Sequence, residues 1–282
     1  MTVIKGRSSD IISDLLGNIK KYTQIMEKWV RRLEIQYPNP KLAKIFHGFP
    51  EHIITILPMA FCDSLTKDLD GNCNEDILAA IGLNAFLIST HDDVVDEMPK
   101  NRETVSSLIY AGNIAGLEGM KILFKRNIKG VALTLINSIN QNHYLQQLVI
   151  EKLWQNKEVG IGDYFDGIKH ICTFSAIGPL CALALTKKTV YYKDTILNFS
   201  AHYGFMLQLI DDIREVEEDK LAGYTSLPLI EGVPFTKSFT NLYRHAELAK
   251  DSLDKKWKRM RFYVDALEKF AKKTQGVIDG TR

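Results

Sequence analysis

The sequence has 282 residues, of which 45% are hydrophobic and 25% are charged, with 36 basic and 34 acidic side chains. A chain of this length can bury a large core, and its net charge of +2 excludes an overall basic nucleic-acid-binding protein and a generally disordered chain. The 8 prolines are few for this length, which favours helices because proline breaks helix interiors. We therefore expect one domain over residues 1–282.

The cysteines contain no C-x-x-C pair, so neither a zinc site nor a disulfide framework is indicated. They are Cys62, Cys73, Cys172 and Cys181. The N-terminal residues 1–7 lack the apolar core of a signal peptide. The longest run without a charged residue or a histidine, residues 171–186, is shorter than the roughly 20 residues of a spanning helix. These features predict a cytoplasmic protein with no membrane span and no nucleic-acid partner.

Hydrophobic residues three and four apart predict helices along most of the chain, beginning with Ile11, Leu15, Ile19 and Tyr22. The later predicted helices cover residues 50–68, 76–98, 104–125, 130–156, 160–185, 190–218 and 236–273. Prolines, glycines and polar turns separate them, and strand-like alternation is almost absent. Several of these helices are apolar on every face, which is typical of interior helices in a large bundle. The predicted fold class is all-α.

Two acidic clusters each follow an uncharged helical stretch. The first contains Asp92, Asp93, Asp96 and Glu97 and follows residues 77–90. The second occupies residues 211–219, of which six of nine are acidic. Each cluster therefore ends a helix that we expect to be buried.

The spacing within each cluster indicates metal binding. Asp92 and Asp96 are four apart, so they share one helix face about 6 Å apart. Asp211, Glu215 and Asp219 form a second ladder with the same spacing. Like charges so placed repel unless a cation separates them, and Mg²⁺ is usually held by one or two carboxylates plus substrate phosphates. The alternative interpretation is that these carboxylates are solvated helix ends. Two such ladders in one helical chain make that interpretation less favourable than metal binding.

These motifs, taken in order, resemble those of the trans-isoprenyl diphosphate synthases within the class I terpenoid synthase superfamily. The segment from Asp92 to Asp96 is similar to the first aspartate-rich motif of that family, and residues 204–215 are similar to the second. Residues 223–228 resemble the glycine-to-proline segment that follows it. Lys169 stands 42 residues before Asp211, where the family carries a lysine. The resemblance runs from about residue 58 to the C-terminus.

The resemblance implies a bundle of about ten or more helices around a central apolar cavity, with three Mg²⁺ ions holding a prenyl diphosphate. The catalytic residues it implies are Asp92, Asp96, Asp211 and Glu215. The metal ligands it implies are Asp92, Asp93, Asp96, Asp211, Asp212, Glu215 and Asp219. The diphosphate-binding residues would be Arg102, Lys169, Lys220 and Tyr224. The cavity-lining residues would be Phe86, Leu87, Ile88, Phe165, Phe205 and Gln208.

The sequence departs from the family where a second substrate, isopentenyl diphosphate, binds without metal. The family carries a lysine and two arginines in a segment that corresponds to residues 52–58, where this chain has Ile54, Thr55 and Leu57. A diphosphate bound without metal requires fixed cations, and this segment has none. His170 and Tyr224 also replace the usual threonine and lysine.

These departures favour a terpene synthase that ionises one allylic C10–C20 prenyl diphosphate and releases a cyclised or linear terpene. The alternatives are a chain-extending prenyltransferase of the geranyl, farnesyl or geranylgeranyl diphosphate synthase type, or a noncatalytic subunit of one. Related enzymes are dimeric, so the resemblance also allows a homodimer.

Overall fold

The computed structural model describes residues 19–48, 50, 53–97, 102–149, 153, 159–223, 225–230 and 235–279. These residues form α-helices joined by short turns, with a 3-10 turn at Leu227–Leu229 and no strand among them. The helices are α1 (Ile19–Gln36), α2 (Pro40–Gly48), α3 (Ile53–Asp68), α4 (Glu75–Glu97), α5 (Arg102–Lys125), α6 (Lys129–Val149), α7 (Ile161–Gly167), α8 (Lys169–Thr186), α9 (Thr189–Ala222), α10 (Phe235–Ser252) and α11 (Lys258–Ile278). The predicted all-α fold class is confirmed.

The chain divides into two compact units. Among the described residues, the N-terminal unit comprises residues 19–139 and 177–193, and the C-terminal unit comprises residues 140–176 and 194–279. The first acidic cluster lies on α4 in the N-terminal unit, and the second lies on α9 in the C-terminal unit. The expectation of a single domain over residues 1–282 stays a prediction.

Glycines on α5 allow it to pack closely against α4 in the N-terminal unit. A Cβ added at Gly112 would lie 2.0 Å from the Thr90 hydroxyl oxygen, and one at Gly116 would lie 2.7 Å from a methyl carbon of Leu87. One turn further on, a Cβ at Gly119 would lie 2.4 Å from the Asn84 amide nitrogen. This succession of glycines fixes α4, and therefore its acidic C-terminal end, against α5.

Helix α3 is buried throughout its middle and packs backbone to backbone against α8. Every residue from 55 to 66 is buried. A Cβ added at Gly178 of α8 would lie 2.1 Å from the Pro58 carbonyl oxygen. Because the two backbones touch, α3 has no room to rotate about its axis at this level.

Two predicted helices are wrong in their extent, because each is divided in the structure. The segment predicted as residues 160–185 is interrupted at Ile168, between α7 and α8. The segment predicted as residues 236–273 is interrupted before α11, where Trp257 is fully buried. There Arg261 donates hydrogen bonds to the carbonyl oxygens of Lys250 and Leu253, at 2.7 and 3.2 Å, and so satisfies the C-terminal end of α10.

Two segments have the length and mean hydropathy of a membrane-crossing helix, namely Glu75–Val94 and Ile161–Thr186. Their most apolar windows are 72% and 56% buried within the protein. Core helices of soluble proteins pass the same test, so two such segments are weak evidence for a membrane span.

Candidate active site

The second acidic ladder is positioned by glycines at two points of α9. A Cβ added at Gly204 would lie 2.7 Å from the Cα of Cys172, so α9 approaches the backbone of α8 most closely just before the ladder begins. After the ladder, Gly223 adopts a φ of 76°, the left-handed conformation that commonly ends helices. The two glycines of the sequence motifs therefore set where α9 packs and where it stops.

Asp212 is a buried hydrogen-bond acceptor with three donors. The Tyr164 hydroxyl donates to Oδ2 at 2.5 Å, and the backbone N–H of Leu227 donates to the same oxygen at 2.7 Å. The Gln208 side chain donates to Oδ1 at 2.8 Å. Burial raises the pKa of Asp212, while these three hydrogen bonds oppose the rise. Asp212 thus ties α7 and the turn after α9 to the ladder, which suits it poorly to ligate a metal.

The carboxylates of Asp211 and Glu215 are close enough for their negative charges to repel. Burial raises the pKa of Asp211 to about 7, and the charges of Glu215 and Asp212 add to the rise. Burial is also the largest cause of the raised pKa of Glu215, and Asp219 adds to it. The Asp211 side chain is nevertheless accessible at the surface. The Asp211 carboxylate is therefore surrounded by many protein atoms and is also open to solvent on one side.

Asp219 lies at the end of the ladder, close to the turn that follows α9. Burial raises the pKa of Asp219 to about 6, and the nearby buried Ser226 opposes the rise. Ser226 directly precedes Leu227, which donates to Asp212. The turn that Asp212 holds therefore also borders Asp219.

The ladder fits Mg²⁺ through two carboxylates. Within the described part of the chain, no three histidine, cysteine, aspartate or glutamate side chains converge as a metal site. The charge of Glu215 raises the pKa of Asp211, and a divalent cation bound between the two carboxylates would relieve that repulsion. Mg²⁺ commonly takes one or two carboxylates and completes its octahedron with water and phosphate oxygens.

The first acidic cluster is described in part. Asp92 is half-buried and Asp93 is exposed, whereas the side chains of Asp96 and Glu97 lie outside the described residues. The preceding His91 is half-buried and hydrogen-bonded to Asn113 of α5, and burial lowers the pKa of His91. His91 therefore acts as a packing residue between α4 and α5.

Of the four residues predicted to bind diphosphate, the structure describes the side chains of two. Lys169 begins α8 and pairs with Asp166 at 2.6 Å, with both side chains 52% exposed. Lys220 is exposed in the last turn of α9. The side chain of Arg102 and the whole of Tyr224 lie outside the described residues.

The predicted cavity-lining residues occupy two clusters. On α4, Phe86 and Ile88 are buried, and Leu87 lies against Gly116 of α5. In the C-terminal unit, Phe165 meets Phe205 edge-on with ring centroids 5.4 Å apart. Gln208 is occupied by its hydrogen bond to Asp212, so it fixes the ladder.

Sequence reasoning missed the partners of the ladder and a histidine pair beside the phenylalanines. Tyr164 stood out only as one aromatic residue among many. His202 and His245 lie with their Nδ1 atoms 3.1 Å apart. The ring of His245 lies 5.0 Å from that of Phe205, and burial lowers the pKa of His245 to about 4. No local motif marks contacts between residues so distant in sequence.

Residues 55–58, the part of the segment corresponding to the family's second-substrate site whose side chains the structure describes, lie in the core. Thr55 is 0% exposed and Leu57 is 2% exposed. These positions carry no cation and do not reach the surface.

Comparison with known proteins identifies the fold. No family model matches the chain, and no curated protein matches it. A solved geranylgeranyl pyrophosphate synthetase from the archaeon Geoglobus acetivorans superposes with a TM-score of 0.70 at 15% identity, covering 93% of this chain and 99% of its own. The chain has the fold of the isoprenyl diphosphate synthases.

Two further solved structures have a similar fold. The FPP/GFPP synthase from Zymomonas mobilis gives a TM-score of 0.62 at 13% identity, covering 88% of this chain and 97% of its own. A geranylgeranyl pyrophosphate synthase from Corynebacterium glutamicum, complexed with calcium and isoprenyl diphosphate, gives 0.61 at 18% identity, covering 95% and 97%. The predicted resemblance is confirmed for the fold.

Proposed function

We propose that the protein is a prenyltransferase that binds an allylic prenyl diphosphate of ten to twenty carbons through Mg²⁺ and transfers its prenyl group. The observation that carries the proposal is the repelling pair Asp211 and Glu215 on α9, in a fold shared with prenyl diphosphate synthases. Asp92, Asp93 and Asp96 of α4 complete the proposed metal ligands, and the number of ions, three by resemblance, belongs to the proposal.

In this proposal, Mg²⁺ would supply charge that neutralises the departing diphosphate, and the double bond of isopentenyl diphosphate would then bond to the allylic carbon with loss of a proton. Asp211 and Glu215 hold the metal, while Asp212 keeps the ladder in place through Tyr164 and Gln208. Lys169, Lys220, Arg102 and Tyr224 are proposed to contact the diphosphate. Phe165 and Phe205 offer aromatic faces to the allylic cation and exclude water from it.

A terpene synthase is the second candidate. The buried positions of Thr55 and Leu57 favour it, because a second diphosphate bound without metal needs exposed cations at this segment. Such an enzyme would ionise the allylic diphosphate without condensing it.

The deciding experiment incubates the purified protein with Mg²⁺ and each allylic diphosphate, with and without isopentenyl diphosphate. Longer diphosphates formed only with isopentenyl diphosphate support the prenyltransferase. Hydrocarbons or alcohols formed without it support the terpene synthase. If no mixture gives more product than an EDTA-treated control, both enzymatic proposals fail and a noncatalytic subunit is favoured.

We also propose a cytoplasmic homodimer. Tyr110, Leu117 and Phe124 are 64%, 71% and 60% exposed and recur every seven residues on α5, so they form one apolar stripe. An antiparallel copy would pair Tyr110 with Phe124 about a two-fold axis at Leu117. Light scattering should give twice the mass of one chain, and Leu117→Lys should give the monomer mass. A wild-type monomer would contradict the proposal.

A further inference from the structure

An open surface cavity of about 390 Å³ lies in the N-terminal unit, and no residue of either acidic cluster lines it. Its walls come from α1, the first turn of α4 and the C-terminal end of α5. The lining residues are Trp29, Arg32, Asp76, Ile122, Lys125 and Arg126. The basic side chains among them are exposed to solvent, so a ligand would reach them directly from the surface.

The cavity combines basic groups with an aromatic face. Arg126 is ion-paired with Asp76, and the guanidinium of Arg32 lies over the Trp29 ring at 4.5 Å from its centroid. Lys125 has no ion-pair partner among the described residues. Three cations and one carboxylate give the lining a net charge of +2, which a dianion would balance.

We propose that this cavity binds a small phosphate ester. A phosphate monoester carries about −1.5 to −2 charges near neutral pH, which matches the lining, whereas a monocarboxylate does not. The planar forks of Arg32 and Arg126 suit phosphate oxygens, and Lys125 adds a third donor. The organic part of the ester lies against Trp29 and Ile122.

The cavity is too far from the first acidic cluster to take part in chemistry there. Asp76 and Asp92 lie on the same helix, 16 residues apart, which corresponds to about 24 Å along its axis. A ligand in the cavity therefore acts as an effector that ties α1, α4 and α5 together. The inference does not depend on the proposed prenyl diphosphate chemistry.

Isothermal titration calorimetry in EDTA and low salt tests the proposal without metal-dependent binding elsewhere. The probes are inorganic phosphate, adenosine monophosphate and isopentenyl monophosphate. We expect at least one ester to bind more tightly than inorganic phosphate, with affinity falling as salt is added. The tighter ester shows whether the natural ligand is a nucleotide or an isoprenoid phosphate. Absence of binding by both esters overturns the proposal, as does tighter binding of inorganic phosphate.

Matched lysine variants locate the binding. Lys125→Gln should weaken the tighter ester about tenfold, because it removes one charged hydrogen bond from the cavity. Lys129→Gln changes an exposed lysine at the start of α6, outside the lining, and should leave affinity unchanged. Unchanged thermal unfolding of both variants would show that folding is intact. Equal affinities in the two variants would overturn the assignment of the cavity.

Discussion

The second acidic ladder and the middle of α3 are opposite in character. In the ladder, carboxylates at residues 211–219 stand close enough to raise one another's pKa, and a hydrogen-bonded Asp212 holds them. In α3, residues 55–66 are all buried, and the helix touches α8 backbone to backbone at Pro58. The ladder therefore concentrates negative charge, whereas the middle of α3 is part of the core.

This difference bears on how many diphosphates the protein handles. A metal-dependent diphosphate site requires closely spaced carboxylates, which the ladder provides. A metal-free site would require cations on α3, and the packing at Gly178 leaves that helix no freedom to present other residues. If a second diphosphate is condensed, its cations must come from elsewhere.

The largest effect is expected from Asp211→Asn. It removes one charge from the proposed metal site and should lower turnover of an allylic diphosphate about 10²- to 10³-fold, measured as diphosphate release. Glu217→Gln, at an exposed position of the same helix, serves as the control and should keep full turnover. An active Asp211→Asn enzyme would remove the ladder from the metal site.

In the contact between α3 and α8, Gly178→Ala should be the most destabilising change. The added Cβ would lie 2.1 Å from the Pro58 carbonyl oxygen, so the free energy of unfolding should fall by about 3 kcal/mol or more in urea titrations. At Gly162 an added Cβ meets nothing within 4 Å, and Gly162→Ala should change stability by less than about 1 kcal/mol. Equal stability of the two variants would contradict the close α3–α8 packing.

Tyr164→Phe removes the hydroxyl that donates to Asp212 while keeping the ring. Because the acceptor is a buried carboxylate, we expect the free energy of unfolding to fall by about 2 kcal/mol. Tyr191→Phe removes a hydroxyl from a side chain that is 75% exposed and should leave stability unchanged. If Tyr164→Phe were equally harmless, Asp212 would not be the anchor of the ladder.

The pH dependence of the metal-free protein should reveal the repulsion in the ladder. Folding raises the pKa of Asp211 from 3.8 to about 7, so the folded state binds more protons between these values and stability is lost as pH rises towards 7. Thermal unfolding in EDTA should therefore show that Asp211→Asn is stabilised relative to wild type more at pH 8 than at pH 5. Added Mg²⁺ should raise the wild-type melting temperature most at pH 8. A pH-independent difference would contradict the raised pKa.

The smallest effect is expected at Thr55. Its hydroxyl is buried without a hydrogen-bond partner among the described residues, so Thr55→Val should change stability by less than about 1 kcal/mol. Thr90→Val is the contrast, because the Thr90 hydroxyl donates to the carbonyl oxygens of Phe86 and Leu87 and its loss should cost about 1 kcal/mol. A rise in KM for isopentenyl diphosphate in Thr55→Val would place Thr55 at a substrate.

Local signals predicted most helix ends. Polar turns and a proline precede α4, α5 and α6, and these helices begin within two residues of their predicted starts. The break before α11 has no glycine or proline at residues 250–260 to announce it. It exists because Trp257 is buried and Arg261 caps α10, which are contacts that hydrophobic periodicity does not encode.

Within the candidate site, the sequence predicted only the arrangement of residues that lie on the same helix. Spacing alone indicates that Asp211 and Glu215 share a face of α9, and the rise that Glu215 causes in the pKa of Asp211 agrees with that geometry. The different role of Asp212 depends on Tyr164, 48 residues earlier, and on the backbone of Leu227. A backbone N–H donor is independent of side-chain identity, so no residue pattern could have revealed it.

The glycine at position 116 has a consequence for how the protein could diverge. Leu87, which the resemblance implies is a cavity-lining residue, rests against Gly116, which belongs to another helix. A methyl group at position 116 would push the Leu87 side chain without altering the α4 sequence. Selection for a different product could therefore act on α5, leaving Asp92 and its helix untouched, and sequence comparisons confined to α4 would overlook the change.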